Sequence, residues 1–255
     1  MDSVSLQEEQ LMHRFFIDPD RSSDDVVSLM EEDARHAVTV LRLKEGNHIE
    51  IIGNGLRFEA EIISANRQSV LARKIRSLPS TEPGLSVTLF QGLPKGDKMD
   101  MIVQKATELG VSRIVPVVMS RCVMKLSPSD VPRKMERWSR IIREASKQSG
   151  RCMIPGISSP VTLQELAGMK ELPGTNIVPW ENAEGDGPLS FRNTHPDLSS
   201  VGILIGPEGG IDEEEILFLQ KCGFVCLTLG KRILRTETAG LAAITAFMSL
   251  YGEMG

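Results

Sequence analysis

Two patterns of apolar and polar positions divide the chain. Between residues 14 and 80, short runs in which apolar and polar residues alternate predict strands, with one helix over 33–41. Strands are predicted at 14–17, 48–52, 56–63 and 70–75. Asn54 and Gly55 supply the positive φ values of a tight turn between two of these strands. No long helix interrupts them, which favours an antiparallel or barrel-like module.

After residue 84 the pattern changes to alternating strands and helices. Residues 79–84 contain turn formers and are typical of a linker. Beyond them, strands are predicted at 85–91, 113–118, 176–180, 201–205 and 224–229, and helices at 99–109, 132–149 and 238–251. This alternation predicts an α/β fold with a mostly parallel sheet. We therefore divide the chain into domains 1–80 and 85–255.

Three local signals refine the second domain. Gly110 follows the helix at 99–109 where a C-cap glycine belongs. Asp212 and Glu215 form a capping box, which predicts another helix after residue 212. The final helix is apolar on most sides, so we expect it to be deeply buried or to lie at an interface.

Composition excludes several classes of protein. The 255 residues are 41% hydrophobic and 25% charged, as in an ordinary globular protein. The four Cys and four His show no metal-ligand spacing, so no metal site is expected. There is no apolar stretch of membrane-spanning length, and acidic residues near the N-terminus argue against a signal peptide. We expect a cytoplasmic protein without membrane association.

The charge is unevenly distributed. The chain carries 29 basic and 34 acidic residues, a net charge of −5. Between Arg113 and Arg151, however, ten basic residues accompany only three acidic ones. This block indicates an anionic partner on one surface. From charge alone, a solvated helix face explains it equally well.

Glycine-rich loops follow two predicted strands. Residues 206–210 read Gly-Pro-Glu-Gly-Gly, and residues 230–238 begin with glycine and contain Arg232, Arg235 and Glu237. Ligands of parallel α/β sheets bind at the carboxyl ends of strands, and glycine lets the backbone approach them closely. Neither loop matches a dinucleotide or Walker A motif. Two further polar loops lie at 92–98 and 148–151. The residues alone predict a ligand site and a basic surface.

Six segments, in order, carry a family resemblance: Gln91–Met99, Gln104–Val111, Arg121–Cys122, Gln148–Arg151, Ile205–Gly210 and Leu229–Thr238. From about Arg14 onward the chain resembles the RsmE family of ribosomal RNA small-subunit methyltransferases, in the SPOUT superfamily. The Ile-Gly-Pro-Glu-Gly-Gly and Leu-Arg-Thr-Glu-Thr segments are its most specific features.

The resemblance implies a PUA-like, RNA-binding β-barrel followed by a trefoil-knotted SPOUT methyltransferase domain in a homodimer. It implies S-adenosyl-L-methionine as cofactor and methylation at N3 of one uridine in the 16S ribosomal RNA of the small subunit. By position, the cofactor would be held by Leu204, Ile205, Gly206, Pro207, Glu208, Gly209, Gly210, Leu229, Gly230, Ile233 and Leu234.

The reaction requires the uridine N3 proton to leave as the methyl group transfers, so a general base or a cation that stabilises the uracil anion is needed. Arg235 is the candidate for charge stabilisation. Glu237 is a candidate base or a helix-capping residue, and Arg14 is a third catalytic candidate; the base stays unassigned. The candidates for RNA contact are Arg14, Lys95, Lys98, Arg133, Arg137, Arg140, Lys147 and Arg151.

Two other functions remain open from the sequence. A non-catalytic RNA-binding or ribosome-assembly factor would explain the basic helix but not the two glycine-rich loops. An α/β enzyme for a small anionic metabolite would explain the loops but leave the basic helix without a role.

Overall fold

A computed structural model describes residues 12–17, 25–53, 55–124 and 126–254. Asn54 of the predicted turn and Lys125 of the basic block lie outside these residues. The chain forms two compact units, one of Met1–Glu82 with Gly150–Met153 and the other of Pro83–Ser149 with Ile154–Gly255. Residues 150–153, which the predicted division places in the second domain, group with the first unit. The backbone N–H groups of Cys152 and Met153 donate to Glu82 Oε1 at 2.6 and 3.0 Å, which ties this segment to the first unit.

The first unit is built on a five-stranded sheet in the order β1-β3-β4-β5-β2. Its strands are β1 (Arg14–Phe16), β2 (Val26–Met30), β3 (His48–Gly53), β4 (Leu56–Ala65) and β5 (Ser69–Leu78). All pairings are antiparallel except β1 with β3. The predicted helix is a short α1 (Glu31–Arg35) continued by a π-helical segment (His36–Val40).

The core of this unit follows from side-chain alternation along the strands. Val27 and Leu29 of β2 lie opposite Ala72 and Val70 of β5, and all four are buried. Alternate residues of a strand share one face, so these pairs cover the same side of the sheet. Strand β2 was not predicted.

The second unit contains a seven-stranded sheet whose pairings are all parallel, which confirms the predicted sheet type. Its order is β12-β10-β11-β6-β7-β8, and β9 also pairs with β7. The strands are β6 (Ser86–Gly92), β7 (Arg113–Val118), β8 (Gly156–Ile157), β9 (Val161–Thr162), β10 (Asn176–Pro179), β11 (Ser200–Ile205) and β12 (Phe224–Leu227).

Helices cover both faces of this sheet. They are α2 (Lys98–Glu108), α3 (Val131–Ser149), α4 (Leu163–Ala167), α5 (Pro188–Thr194), α6 (Glu213–Lys221) and α7 (Thr236–Leu250). On β11, Ile203 packs into a core shared with α2, α3, α5 and α7, whereas Leu204 packs into a second core shared with α4 and α6. The short elements β8, β9, α4 and α5 were not predicted. The trefoil knot stays a prediction.

The predicted signals at the end of α2 and at the start of α6 are confirmed. Gly110 lies just beyond α2 with φ +97°, a conformation that favours glycine. Asp212 and Glu215 form the capping box of α6. Helix α7 buries one face, which includes Gly240, Ala243 and Phe247, as its apolar sequence predicts.

Candidate active site

A cavity of about 410 Å³ opens at the carboxyl edge of the parallel sheet in the second unit. Strands β10, β11 and β12 end beside it, and the first turn of α7 completes the wall. Its lining residues are Lys98, Pro179, Trp180, Glu181, Ile205, Gly206, Pro207, Glu208, Gly210, Ile211, Thr228, Leu229, Gly230, Arg232, Ile233, Leu234, Arg235, Thr236 and Ala239. The volume falls within the roughly 300–1,000 Å³ of small-molecule sites.

Most of the residues predicted to hold a cofactor line this cavity: Ile205, Gly206, Pro207, Glu208, Gly210, Leu229, Gly230, Ile233 and Leu234. Leu204 does not, because it lies within the core shared with α4 and α6. Gly209 does not line the cavity either. It lies against Arg121, because a Cβ atom added to Gly209 would lie 2.9 Å from Cβ of Arg121.

Several wall residues were missed. Pro179 is the last residue of β10, Trp180 and Glu181 follow it, and Thr228 follows β12. The only indication was general, because the carboxyl ends of neighbouring parallel strands share one edge of a sheet. The segment after β10 lacks the glycine-rich motif that marks the other two loops.

The loop after β11 is held by close backbone packing. A Cβ atom on Gly206 would lie 2.6 Å from Cγ1 of Ile211, and one on Gly92 would lie 2.7 Å from the backbone nitrogen of Pro207. Real side chains do not tolerate such distances, so these two glycines permit the fold of the loop. Arg121 donates to the Gly209 carbonyl at 3.2 Å and to Asp212 Oδ2 at 2.9 Å.

Lys98 lies between two carboxylates beside the cavity. Its Nζ is 2.9 Å from Oε1 of Glu208 and 3.2 Å from Oε2 of Glu237. Burial raises the pKa of Glu208, but the Lys98 ammonium and backbone N–H groups outweigh it and lower that pKa overall. A backbone N–H bond lowers the pKa of Glu237, burial opposes this, and Lys98 lowers it further. Both carboxylates are therefore held ionised.

The start of α7 joins the two glycine-rich loops. Thr236 Oγ1 donates to the Gly206 carbonyl at 2.6 Å and accepts a hydrogen bond from Gln91 Nε2 at 2.9 Å. Gln91 and Thr236 are both buried. A chain of two hydrogen bonds thus connects the end of β6, the first turn of α7 and the end of β11.

The two catalytic candidates in this unit occupy different environments. Arg235 is the N-cap residue of α7, is exposed, and lines the cavity wall. A guanidinium there can stabilise negative charge on a bound molecule. Glu237 lies one residue into α7, paired with Lys98. A carboxylate in the first turn also stabilises the helix dipole, so its surroundings favour the capping role.

Arg14, the third candidate, belongs to the first unit. Its Nε donates to Glu50 Oε2 at 2.9 Å, and Arg57 Nε donates to Glu50 Oε1 at 2.7 Å. Burial raises the pKa of Glu50, but the two guanidinium groups outweigh it and lower that pKa. A Cβ atom on Gly150 would lie 2.9 Å from Arg14 Nη1, so the backbone at Gly150 packs directly against this side chain.

The basic residues of α3 differ in their availability. Arg133, Arg137 and Arg140 are exposed, whereas Lys147 is half-buried. Arg133 forms an ion pair with Asp130, and Arg137 forms one with Asp100. Arg151 is only 5% exposed, and its guanidinium is bound to Glu82 within the first unit. Arg151 was predicted to contact RNA together with the α3 face. Its charge is paired inside the protein, which argues against that role.

The two remaining RNA candidates lie next to the loop after β11. The backbone N–H of Lys95 donates to both carboxylate oxygens of Glu208, at 3.1 and 3.2 Å, while its side chain is exposed. Lys98 is held by its two carboxylates. Of these two, Lys95 is the better placed to contact an external anion.

Two other kinds of site are absent from the described residues. No three His, Cys, Asp or Glu side chains in the ranges given above come together as a metal site. Nor does any helix within those ranges combine the length and apolarity needed to cross a membrane.

Comparison with known proteins gives consistent results. Residues 81–248 match the family model of an RNA methyltransferase domain, and residues 29–75 match that of an RNA methyltransferase PUA domain. The first unit is thus the predicted PUA-like domain. The chain is 34% identical to ribosomal RNA small subunit methyltransferase E of Bacillus subtilis over 92% of this chain and 95% of the relative.

Two solved structures of methyltransferases resemble this chain over nearly its whole length. A ribosomal RNA small subunit methyltransferase E from Neisseria gonorrhoeae, bound to S-adenosyl methionine, is 32% identical with a TM-score of 0.80, covering 96% of this chain and all of the other. A putative methyltransferase from Legionella pneumophila, also with this cofactor, is 30% identical with a TM-score of 0.77 over 93% and 97% of the two chains. Because both the family models and relatives above 30% identity extend over most of its length, the chain belongs to the ribosomal RNA small subunit methyltransferase E family.

Proposed function

We propose that this protein transfers a methyl group from S-adenosyl-L-methionine to N3 of a specific uridine in the 16S ribosomal RNA of the small ribosomal subunit. The observation that carries the proposal is the cavity at the carboxyl edge of the parallel sheet, lined by the two glycine-rich loops of the family. Relatives named ribosomal RNA small subunit methyltransferase E, and two methyltransferase structures with S-adenosyl methionine bound, support it.

The cavity fits this cofactor chemically. Apolar side chains of Ile205, Ile211 and Leu234 offer a surface for the adenine ring, and Glu181 and Thr228 offer hydrogen-bonding groups for polar parts of the ligand. Gly206 and Gly230 expose backbone in the wall. When bound, the cofactor supplies a methyl group on a sulfonium centre.

Arg235 would act on the uracil ring. Loss of the N3 proton leaves negative charge on the ring, and a guanidinium at the cavity wall interacts more strongly with that anion than with the neutral base. The lowered pKa of Glu237 and its ion pair with Lys98 make it a weak base. Its role would therefore be to stabilise the start of α7 and to hold Lys98 in position. Arg14, fixed by Glu50, would contact the RNA or the target base.

RNA would be bound by exposed basic side chains of α3 and by the PUA-like unit. Arg133 and Arg140 are exposed on α3, and phosphate contacts of this kind supply most of the sequence-independent affinity for nucleic acid. With a small-subunit substrate, the protein would act in the cytoplasm.

The active form would be a homodimer. The face of α7 turned away from the core carries Leu241, Ala242, Thr245 and Ala246, all of them half-buried, and forms a shallow groove with the 42% exposed Met101. Apolar and small side chains on an outer helix face are typical of a surface covered by another subunit.

The decisive experiment is methyl transfer from labelled S-adenosyl-L-methionine to small subunits that lack the modification, with the product nucleoside identified. N3-methyluridine supports the proposal, and another methylated nucleoside or no transfer refutes it. The alternative is a non-catalytic RNA-binding or assembly factor on the same fold. Calorimetric titration separates the two, because only the enzyme needs to bind the cofactor.

A further inference from the structure

We propose that Gln91 is a positioning residue for the cofactor cavity: it acts through Thr236 to fix the carbonyl group of Gly206 in the cavity wall. The inference rests on the proposed function, because it assigns the cavity to S-adenosyl-L-methionine. Gln91 itself does not line the cavity. Its effect on the ligand is therefore indirect.

The hydrogen-bond chain has one direction only. The Gly206 carbonyl can only accept, so Thr236 Oγ1 must donate to it across the 2.6 Å between them. The single hydroxyl proton is then used, and Thr236 Oγ1 can only accept from Gln91. The side-chain amide must therefore present its nitrogen, and that nitrogen also donates to the Gly92 carbonyl at 3.0 Å. Both amide hydrogens of Gln91 are thereby engaged.

Gly206 also lies in close contact with Ile211. The missing Cβ permits this contact, since an added carbon would lie 2.6 Å from Ile211 Cγ1. This packing and the hydrogen bond from Thr236 both restrict the orientation of the Gly206 peptide. This peptide begins the loop that lines the cavity. Gln91 thus defines the geometry of a wall that it does not touch.

The carbonyl oxygen of Gln91 points to a role beyond stability. Its Oε1 is buried and has no hydrogen-bond partner within the described part of the chain. It faces Gly240 of α7, where an added Cβ would lie 3.4 Å from it. A buried oxygen without a partner destabilises the folded state. An apolar side chain of similar length would remove this cost, so Gln91 is not an optimal residue for packing alone.

The proposal predicts that stability and cofactor affinity respond differently to Gln91→Met. The melting temperature should change little, because the cost of the unpaired oxygen is lost together with the two hydrogen bonds of the amide nitrogen. The dissociation constant for S-adenosyl-L-methionine should increase about 3- to 10-fold, the equivalent of one hydrogen bond. Thr236→Val, which removes both bonds of the chain, should raise it at least about 10-fold. Thr236→Ser keeps the hydroxyl and should bind like the parent.

Thr107→Val is the matched control. Thr107 is also a buried threonine whose hydroxyl bonds a backbone carbonyl, that of Val103, but it lies in α2 away from the cavity. Thr107→Val should lower the melting temperature without changing the affinity for S-adenosyl-L-methionine. The combined variant Gln91→Met with Thr236→Val should bind no more weakly than Thr236→Val alone, because both residues act through one chain.

Calorimetric titrations and melting curves of the five variants and the parent test the proposal. Parent-like affinity in Gln91→Met, or additive losses in the combined variant, would overturn it while leaving the proposed function intact. An affinity loss in Thr107→Val equal to that of Thr236→Val would also overturn it, since the effect would then be general destabilisation. Failure of the parent protein to bind the cofactor would instead refute the proposed function.

Discussion

Arg151 Nη2 lies 2.6 Å from Oε2 of Glu82, and its Nε lies 3.0 Å from both oxygens of the same carboxylate. The side chains are 6% and 15% exposed. Glu82 precedes the second unit in sequence, and Arg151 follows α3. The pair therefore fastens two distant parts of the chain within the first unit.

Arg151→Met should destabilise the protein. Removing one partner of a buried pair leaves the other charge uncompensated, which costs about 3–5 kcal/mol. Urea denaturation of the full chain measures the loss. Arg76→Met is the control in the same unit, because the Arg76 side chain is 66% exposed and an exposed pair contributes about 1 kcal/mol at most. Equal losses in the two variants would contradict the buried-pair interpretation.

Gly206→Ala should weaken binding of S-adenosyl-L-methionine by at least about tenfold, the effect of roughly 1.4 kcal/mol. The added Cβ would collide with Ile211 and force the loop to move. Calorimetry measures the change. Gly174→Ala is the control, since no atom lies within 4 Å of its Cβ position. Gly209 is a poorer site for this test, because bulk there meets Arg121 instead of the cavity. An unchanged affinity in Gly206→Ala would remove the loop from the cofactor site.

Charge reversal on the exposed face of α3 should weaken RNA binding and its dependence on salt. The test variant carries Arg133→Glu and Arg140→Glu, whose side chains are exposed on α3. Each lost phosphate contact lowers the slope of log affinity against log salt by about 1. A control with Lys170→Glu and Lys221→Glu, two exposed lysines of the second unit outside α3, has the same net charge and should keep the slope. If both double variants bind alike, the face is merely solvated.

Arg235→Ala should slow methyl transfer more than it weakens cofactor binding. Loss of one hydrogen-bond donor to a developing anion lowers the rate about 10²- to 10³-fold. Single-turnover kinetics at saturating cofactor and small subunit measure the chemical step separately from binding. A near-normal rate would show that Arg235 only binds phosphate.

Glu237→Gln is the companion variant. Glu237 is ionised and paired with Lys98, and the glutamine side chain should still hold the start of α7 in place. The rate of methyl transfer should therefore fall by less than the roughly 10²-fold that loss of a general base costs. A larger loss, with the cofactor still bound, would identify Glu237 as the base.

Leu241→Lys should convert a dimer into a monomer. A lysine on the outer face of α7 would bury a charge in the proposed interface. Light scattering at micromolar concentration measures the mass. Leu217→Lys is the control, because Leu217 is 57% exposed on α6. A monomeric parent protein would refute the proposed dimer.

Local patterns predicted the elements that bury a regular face. Strand β7 has the predicted bounds, and α3 begins one residue earlier than expected. Strand β2 escaped prediction because its stability comes from pairing with β5, far away in the sequence. Within the site, glycines marked the loops after β11 and β12. Trp180 and Glu181 carried no comparable local signal, since only the order of strands in the sheet brings them to the cavity.

The central position of β11 has a consequence for synthesis of the chain. Strand β6 pairs with β11, as in Val87 with Val201, and β10 pairs with β11 on its other side. Until residue 205 has left the ribosome, β6 and β10 each keep an unpaired edge, and such edges are sites of aggregation. Segments made after β10 also build most of the cavity wall. The cofactor therefore has no wall to bind during the early steps of folding, and it stabilises only the finished sheet.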